Sequence, residues 1–222
     1  MNDRHPSSPA TVLLFIAILI GFGIEIATGA WKDQFLLAPL GAIVPSLILD
    51  QGQYWRLLSA MFLHGDGTVR GGLLHLGVNL YALWQLGRLY EIMFGTRRFV
   101  MIYFVTGIAA SLTSLLRYVL LQQDGASVGA SGAIFGVLGA FIFSIRRSPR
   151  WRNERWARSI VQQLLFWIVV NIAIGLTVPQ IDMAAHVGGL LTGLLLGATL
   201  PQKEPPLPPS QAVIDVTPTQ SP

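Results

Sequence analysis

Four side chains with chemistry to offer are scattered over an otherwise apolar chain: His75, Asn79, Ser131 and His186. Ser131 lies in Gly129-Ala130-Ser131-Gly132, inside a run from Gly125 to Ile145 that holds no charged residue. A serine hydroxyl becomes a nucleophile when a base is within hydrogen-bond reach, and a neutral imidazole such as His186 can take its proton and later give it to a leaving amine. Asn79 follows His75 by four residues, so on a helix both project from one face. There they can donate hydrogen bonds to a developing oxyanion, alongside the Ser131 backbone N–H. Glycine at position 129 lets backbone and substrate carbonyl approach closely. A plainer reading exists for each residue. Ser131 can be a packing serine in a small-residue stripe, and the histidines and Asn79 can be interhelical hydrogen-bonders.

The elements that must position these groups follow from composition. With 52% hydrophobic residues, 12% charged and a mean hydropathy of +0.56, the chain is far more apolar than a soluble domain and reads as a membrane protein. Six stretches lack Asp, Glu, Lys and Arg: Ala10 to Ile24, Gly71 to Gly87, Phe99 to Leu116, Gly125 to Ile145, Ser159 to Ile181, and Met183 to Leu200. A spanning helix needs ~20 residues, so each can cross once flanking turns are added. The expected organisation is a short N-terminus (1–9), a six-helix domain (10–200) and a Pro-rich disordered tail (201–222). A long loop from about Trp31 to Arg70 follows the first helix, which reads as retained rather than as a cleaved signal. The absence of cysteine excludes disulfides and thiolate chemistry.

Charge distribution orients the helices. Arg146, Arg147, Arg150, Arg152, Arg155 and Arg158 crowd the connection between the fourth and fifth runs, and Arg97 and Arg98 lie between the second and third. The positive-inside rule makes that side cytoplasmic, with both termini inside and the long first loop outside. The net charge of +4 is therefore a topology signal, and no nucleic-acid partner is expected. Runs two, four and six then travel in the same direction, and His75, Ser131 and His186 fall near their outer ends. Polar residues at membrane depth are uncommon and tend to mark function, so four at one level favour a site. Ala185, Gly189, Gly193 and Gly197 repeat every four residues, and Gly129, Gly132, Gly136 and Gly139 every three or four. Both are stripes that let helices approach closely, and Ser131 and His186, each a fraction of a turn off its stripe, can edge into one seam, a geometry that permits a Ser–His contact without requiring it.

This ordered set resembles the rhomboid intramembrane serine proteases. Gly129-Ala130-Ser131-Gly132 looks like their GxSG, Ala185-His186 with Gly189 like their AHxxG, His75 with Asn79 like HxxxN, and Trp55-Arg56 like the WR pair of the first loop. The similarity runs from Gln53 through Gly197. It implies an all-α polytopic protein with a six-transmembrane-helix rhomboid-like bundle, and an intramembrane serine endopeptidase with a Ser131–His186 dyad. His75, Asn79 and Gly129 would then form the oxyanion and substrate-binding positions, with no cofactor and no metal. The implied partners are single-span or polytopic membrane-protein substrates in a lipid bilayer. The implied location is a bacterial-type plasma membrane, with the active site toward the external side. The resemblance also implies that Phe135 packs against the His186 ring.

The chain departs from the family pattern at Asp66 to Gly72, which lengthens the connection from His64-Gly65 to His75. Asp182, four residues before His186, can be a third catalytic member or the cap of the sixth helix, and the cap is expected. Competing classes fit less well. A transporter would place its polar groups at the midplane on broken helices. A catalytically dead relative would lack the dyad. A metalloprotease would need an HExxH pattern, absent among His5, His64, His75 and His186.

Overall fold

The apolar runs fold as helices in a computed structural model that describes residues 8–123, 125–178 and 180–200. Most of the expected N-terminal segment, residues 1–7, and the expected Pro-rich tail, residues 201–222, lie outside the described residues. Helix α1 (Pro9–Thr28) opens on a proline, whose fixed φ suits a first helical turn, and closes at Gly29 with φ 83°. Its buried residues, including Leu14, Ile18, Phe22 and Glu25, recur every three or four positions and form one stripe facing the bundle.

Helix α2 (Val69–Ala82) continues through a π-helical segment, Leu83–Gly87, into a last helical stretch, Arg88–Phe94. Helices α3 (Thr96–Leu120), α4 (Ser131–Arg147), α5 (Arg155–Gly175) and α6 (Met183–Thr199) follow. Helices α1, α3 and α5 are each long and apolar enough to cross a membrane. Helices α4 and α6 have 17 residues each, which is about 26 Å at ~1.5 Å per residue. The protein is an all-α polytopic membrane bundle. Charge-free runs and helices part company where a loop is itself apolar: residues 125–130 belong to the fourth run but precede the helix.

The centre of the bundle is α4, buried on every side from Gly132 to Ile142. Its closest neighbour is α6, and the two glycine stripes explain the approach. A Cβ added at Gly189 or Gly193 would land on the backbone carbonyls of Gly132 and Gly136, respectively. In contrast, α5 buries only Ala157 and Val161 and leaves Phe166, Trp167 and Val169 on the outside. At the end of the bundle away from Ser131, Glu91 is 2% exposed and ties α1 down. Its carboxylate accepts the backbone N–H groups of Ala10 and Thr11 at 3.0 and 2.8 Å. A negative charge is favoured there by the unpaired N–H groups of a helix start.

The loop between α1 and α2 lies against the site. Arg56, 3% exposed, stitches it together by donating to Gln53 Oε1 and to the carbonyls of Ala38 and Ala42. Its neighbour Trp55 stacks on the guanidinium at 4.8 Å. Ile43 exchanges backbone hydrogen bonds with Ser127, at 2.9 and 3.1 Å, and Gly129 N–H donates to the Ala60 carbonyl at 2.9 Å. The loop thus fixes the strand-like lead into α4. Residues Asp66 to Gly72 form a capped helix start, because Asp66 accepts from Thr68 and the Thr68 hydroxyl caps Gly71 N–H at 3.0 Å.

Candidate active site

Ser131 is the first residue of α4, directly after the non-helical lead 125–130. The first N–H groups of a helix have no intrahelical partner, so the Ser131 N–H is free to point at a ligand. His186 sits in the first turn of α6, with its backbone N–H held by Asp182 at 3.1 Å. The glycine contacts between α4 and α6 bring the two side chains together: His186 Nε2 lies 2.8 Å from Ser131 Oγ. The Phe135 ring, one turn after Ser131, stacks on the imidazole with centroids 4.4 Å apart and planes 13° from parallel. That stacking fixes the ring plane. His186 is 8% exposed and its Nδ1 has no hydrogen-bond partner among the described residues.

Asp182 does not reach that nitrogen. Its carboxylate caps α6 by accepting Ala185 N–H at 3.1 Å, accepts the Ser127 hydroxyl at 2.6 Å and the Ser114 hydroxyl, and faces Arg117 Nε at 3.7 Å. It therefore ties the lead into α4, the end of α3 and the start of α6 to one another. Among the described residues, the arrangement is a serine–histidine pair with no carboxylate at the imidazole Nδ1.

His75 comes from the second turn of α2 and lies against the backbone at Gly129. A Cβ at Gly129, whose φ is +126°, would sit 2.7 Å from His75 Nε2, so both the conformation and the space require glycine. The Nδ1 atom of His75 is 3.2 Å from the His64 carbonyl oxygen. A carbonyl only accepts, so Nδ1 carries the hydrogen; a neutral His75 then presents a lone pair at Nε2 and donates there only when doubly protonated. Asn79 is 4% exposed and its Nδ2 donates to the His75 carbonyl at 2.9 Å, while Oδ1 has no partner among the described residues. The structure thus places His75 and Gly129 beside Ser131, and commits the Asn79 amide to its own helix.

Two residues join this group that motif spacing does not single out as site members. His64 is fully buried, and its Nε2 accepts the Ala130 N–H at 3.3 Å. Burial, reinforced by the neighbouring His75, holds the His64 imidazole well below its ordinary range, so Nε2 keeps the lone pair this bond needs. Glu25, from α1, accepts the backbone N–H groups of His64 at 2.7 Å and Gly65 at 2.5 Å. The available signal was periodicity, since Leu14, Ile18 and Phe22 put position 25 on the buried face of α1.

A family model of the rhomboid domain matches residues 51–203. Among curated proteins, the rhomboid protease GluP of Bacillus subtilis (strain 168) is 38% identical over 194 residues, covering 86% of this chain and 35% of that protein. RHOMBOID-like protein 5 of Arabidopsis thaliana is 36% identical over 176 residues, covering 76% of this chain and 53% of that protein. The putative rhomboid protease YdcA of Bacillus subtilis (strain 168) is 30% identical over 174 residues, covering 78% of this chain and 77% of its own length. The chain spans about a third of GluP and about half of RHOMBOID-like protein 5. With a rhomboid domain matched over most of its length, the chain belongs to the rhomboid family.

Proposed function

We propose that this protein is an intramembrane serine endopeptidase that cleaves peptide bonds in or near the transmembrane segments of other membrane proteins. The observation that carries the reading is the 2.8 Å pairing of Ser131 Oγ with His186 Nε2 across two helices of a membrane bundle. Relatives named as rhomboid proteases support it.

Ser131 Oγ attacks the scissile carbonyl carbon as its proton passes to His186 Nε2. The carbonyl oxygen gains negative charge, which the Ser131 N–H and the Asn79 amide, once released from the His75 carbonyl, stabilise. His75 lines the same wall, with Nε2 facing the backbone at Gly129. The tetrahedral intermediate collapses, the C–N bond breaks, and the leaving nitrogen takes the proton from His186. Water then attacks the acyl-enzyme ester, giving a proton to His186, which returns it to Ser131 Oγ as the new carboxyl terminus departs. Phe135 keeps the imidazole aligned through both halves.

In this reading residues 10–200 form the protease domain, both termini are cytoplasmic and the site opens toward the external side of a bacterial-type plasma membrane. The concentration of arginines at 146–158 supports that orientation. The test is incubation of purified protein in liposomes with a single-span reporter substrate and mass spectrometry of the fragments. Defined cleavage by the wild type, lost in both Ser131→Ala and His186→Ala, is expected. An intact substrate with the wild type, or cleavage that persists in Ser131→Ala, overturns the proposal.

A further inference from the structure

We propose that Glu25 is a positioning residue of the site, holding His64 so that the lead into Ser131 and the His75 ring share one fixed frame. The proposal rests on the protease reading only for its kinetic consequence. A carboxylate offers two acceptor oxygens, and Glu25 uses one on the backbone N–H of His64 and the other on that of Gly65. The side chain is fully buried. It stands in the last turn of α1, where the helix dipole disfavours a negative charge and the turn itself carries no basic residue. A carboxylate kept there against that field answers to the two N–H donors it meets.

From His64 the restraint passes in two directions. Its carbonyl receives His75 Nδ1 at 3.2 Å and its Nε2 receives Ala130 N–H at 3.3 Å, one residue before Ser131. The two imidazole rings are 5.0 Å apart. Gly65 makes the approach possible, since a Cβ there would lie 2.9 Å from Glu25 Oε2 and 2.8 Å from the Ala30 carbonyl oxygen. The anchor therefore comes from α1, outside the matched rhomboid segment 51–203, and acts on a histidine of α2 and the start of α4.

Glu25→Gln tests this in the full chain, because Gln keeps the shape but turns a donor toward one of the two N–H groups. Two readouts are taken. Amide hydrogen exchange should rise in the segment 126–131, distant in sequence, while α3 and α5 keep their wild-type protection. On the single-span reporter, kcat should fall ~10- to 100-fold with KM within about 2-fold, as expected for a misplacement of about 1 Å at the reacting groups. Gly65→Ala, which crowds the same carboxylate together with the Ala30 carbonyl, should reproduce both changes and serves if Glu25→Gln does not fold. Loosening confined to 64–65, with 126–131 protected as in the wild type, refutes the positioning role, as does uniform loss of protection through the bundle. If the wild type cleaves nothing, the protease reading fails, yet the exchange at 126–131 still decides whether Glu25 holds this frame.

Discussion

Gly129→Ala is the substitution for which the structure gives the sharpest arithmetic. The new Cβ would stand 2.7 Å from His75 Nε2 and 2.9 Å from its Cε1, whereas ordinary contact begins at 3.4 Å. The ring or the 129–131 segment must therefore give way by about 0.7 Å, and a displacement approaching 1 Å at a reacting centre costs up to ~10²-fold in rate. Position 129 also has φ +126°, which a side chain tolerates only at a cost of about 1–3 kcal/mol. Gly95 separates the two effects: it has φ +89° with nothing within 4 Å, and it lies at the far end of α2. Both variants are assayed for kcat on the single-span reporter and for apparent Tm in detergent. Each should lose about 2–12 °C of Tm, at ~2–4 °C per kcal/mol for a chain of this size. Only Gly129→Ala should lose activity, on the order of 10- to 100-fold. Equal losses in the two variants, or a Gly129→Ala protein within about 3-fold of wild type, would refute the claim that His75 and Gly129 form one close-fitting wall of the site.

Asp182→Asn should keep most of the activity while lowering stability by about 0.5–2 kcal/mol, because Asp182 caps α6 and does not touch His186 Nδ1; a loss as deep as that of Ser131→Ala in folded protein would argue for a triad. Stability should also fall with acidification through His64, which is held well below the ordinary imidazole pKa of 6.5. Above pH 6.5 the group is neutral in folded and unfolded chains alike. Below it the unfolded chain binds a proton that the folded one excludes, at up to about 1.4 kcal/mol per pH unit. His64→Gln should accordingly show a shallower decline of apparent Tm between about pH 6.5 and 5, and an unchanged slope would contradict a buried neutral His64. For orientation, a reporter fused after Arg150 should be cytoplasmic and one inserted near Asp66 external; the reverse pattern would invert the proposed membrane topology.

Much of this arrangement is legible in the sequence. Glycines at intervals of four in α6 can only mean close approach, and Gly189 and Gly193 do meet the carbonyls of Gly132 and Gly136. Asp182 could be read as a cap from its place ahead of an apolar run, although its bonds to Ser114 and Ser127 depend on where α3 and the preceding loop come to rest. Other features were hidden for stated reasons. Ser131 belongs to a continuous apolar run, so hydropathy gave no sign that the first six residues of that run form a lead-in and that the serine begins the helix. Reading runs by their lack of charge treats Glu25 as a terminator, whereas the buried stripe of α1 continues through it. The direction of the Asn79 amide and the tautomer of His75 are set by single hydrogen bonds to backbone carbonyls, and spacing in a sequence cannot choose between them.

The central claim is that Ser131 is a nucleophile activated by His186, and covalent labelling tests it most directly. The folded protein is treated with a fluorophosphonate, digested, and mapped by mass spectrometry, with His186→Ala and Ser131→Ala in parallel. The account predicts a single adduct on Ser131 in the wild type, absent in Ser131→Ala and suppressed in His186→Ala, where no base remains 2.8 Å from the hydroxyl. An adduct at another residue, or labelling of Ser131 that proceeds equally well without His186, would contradict it.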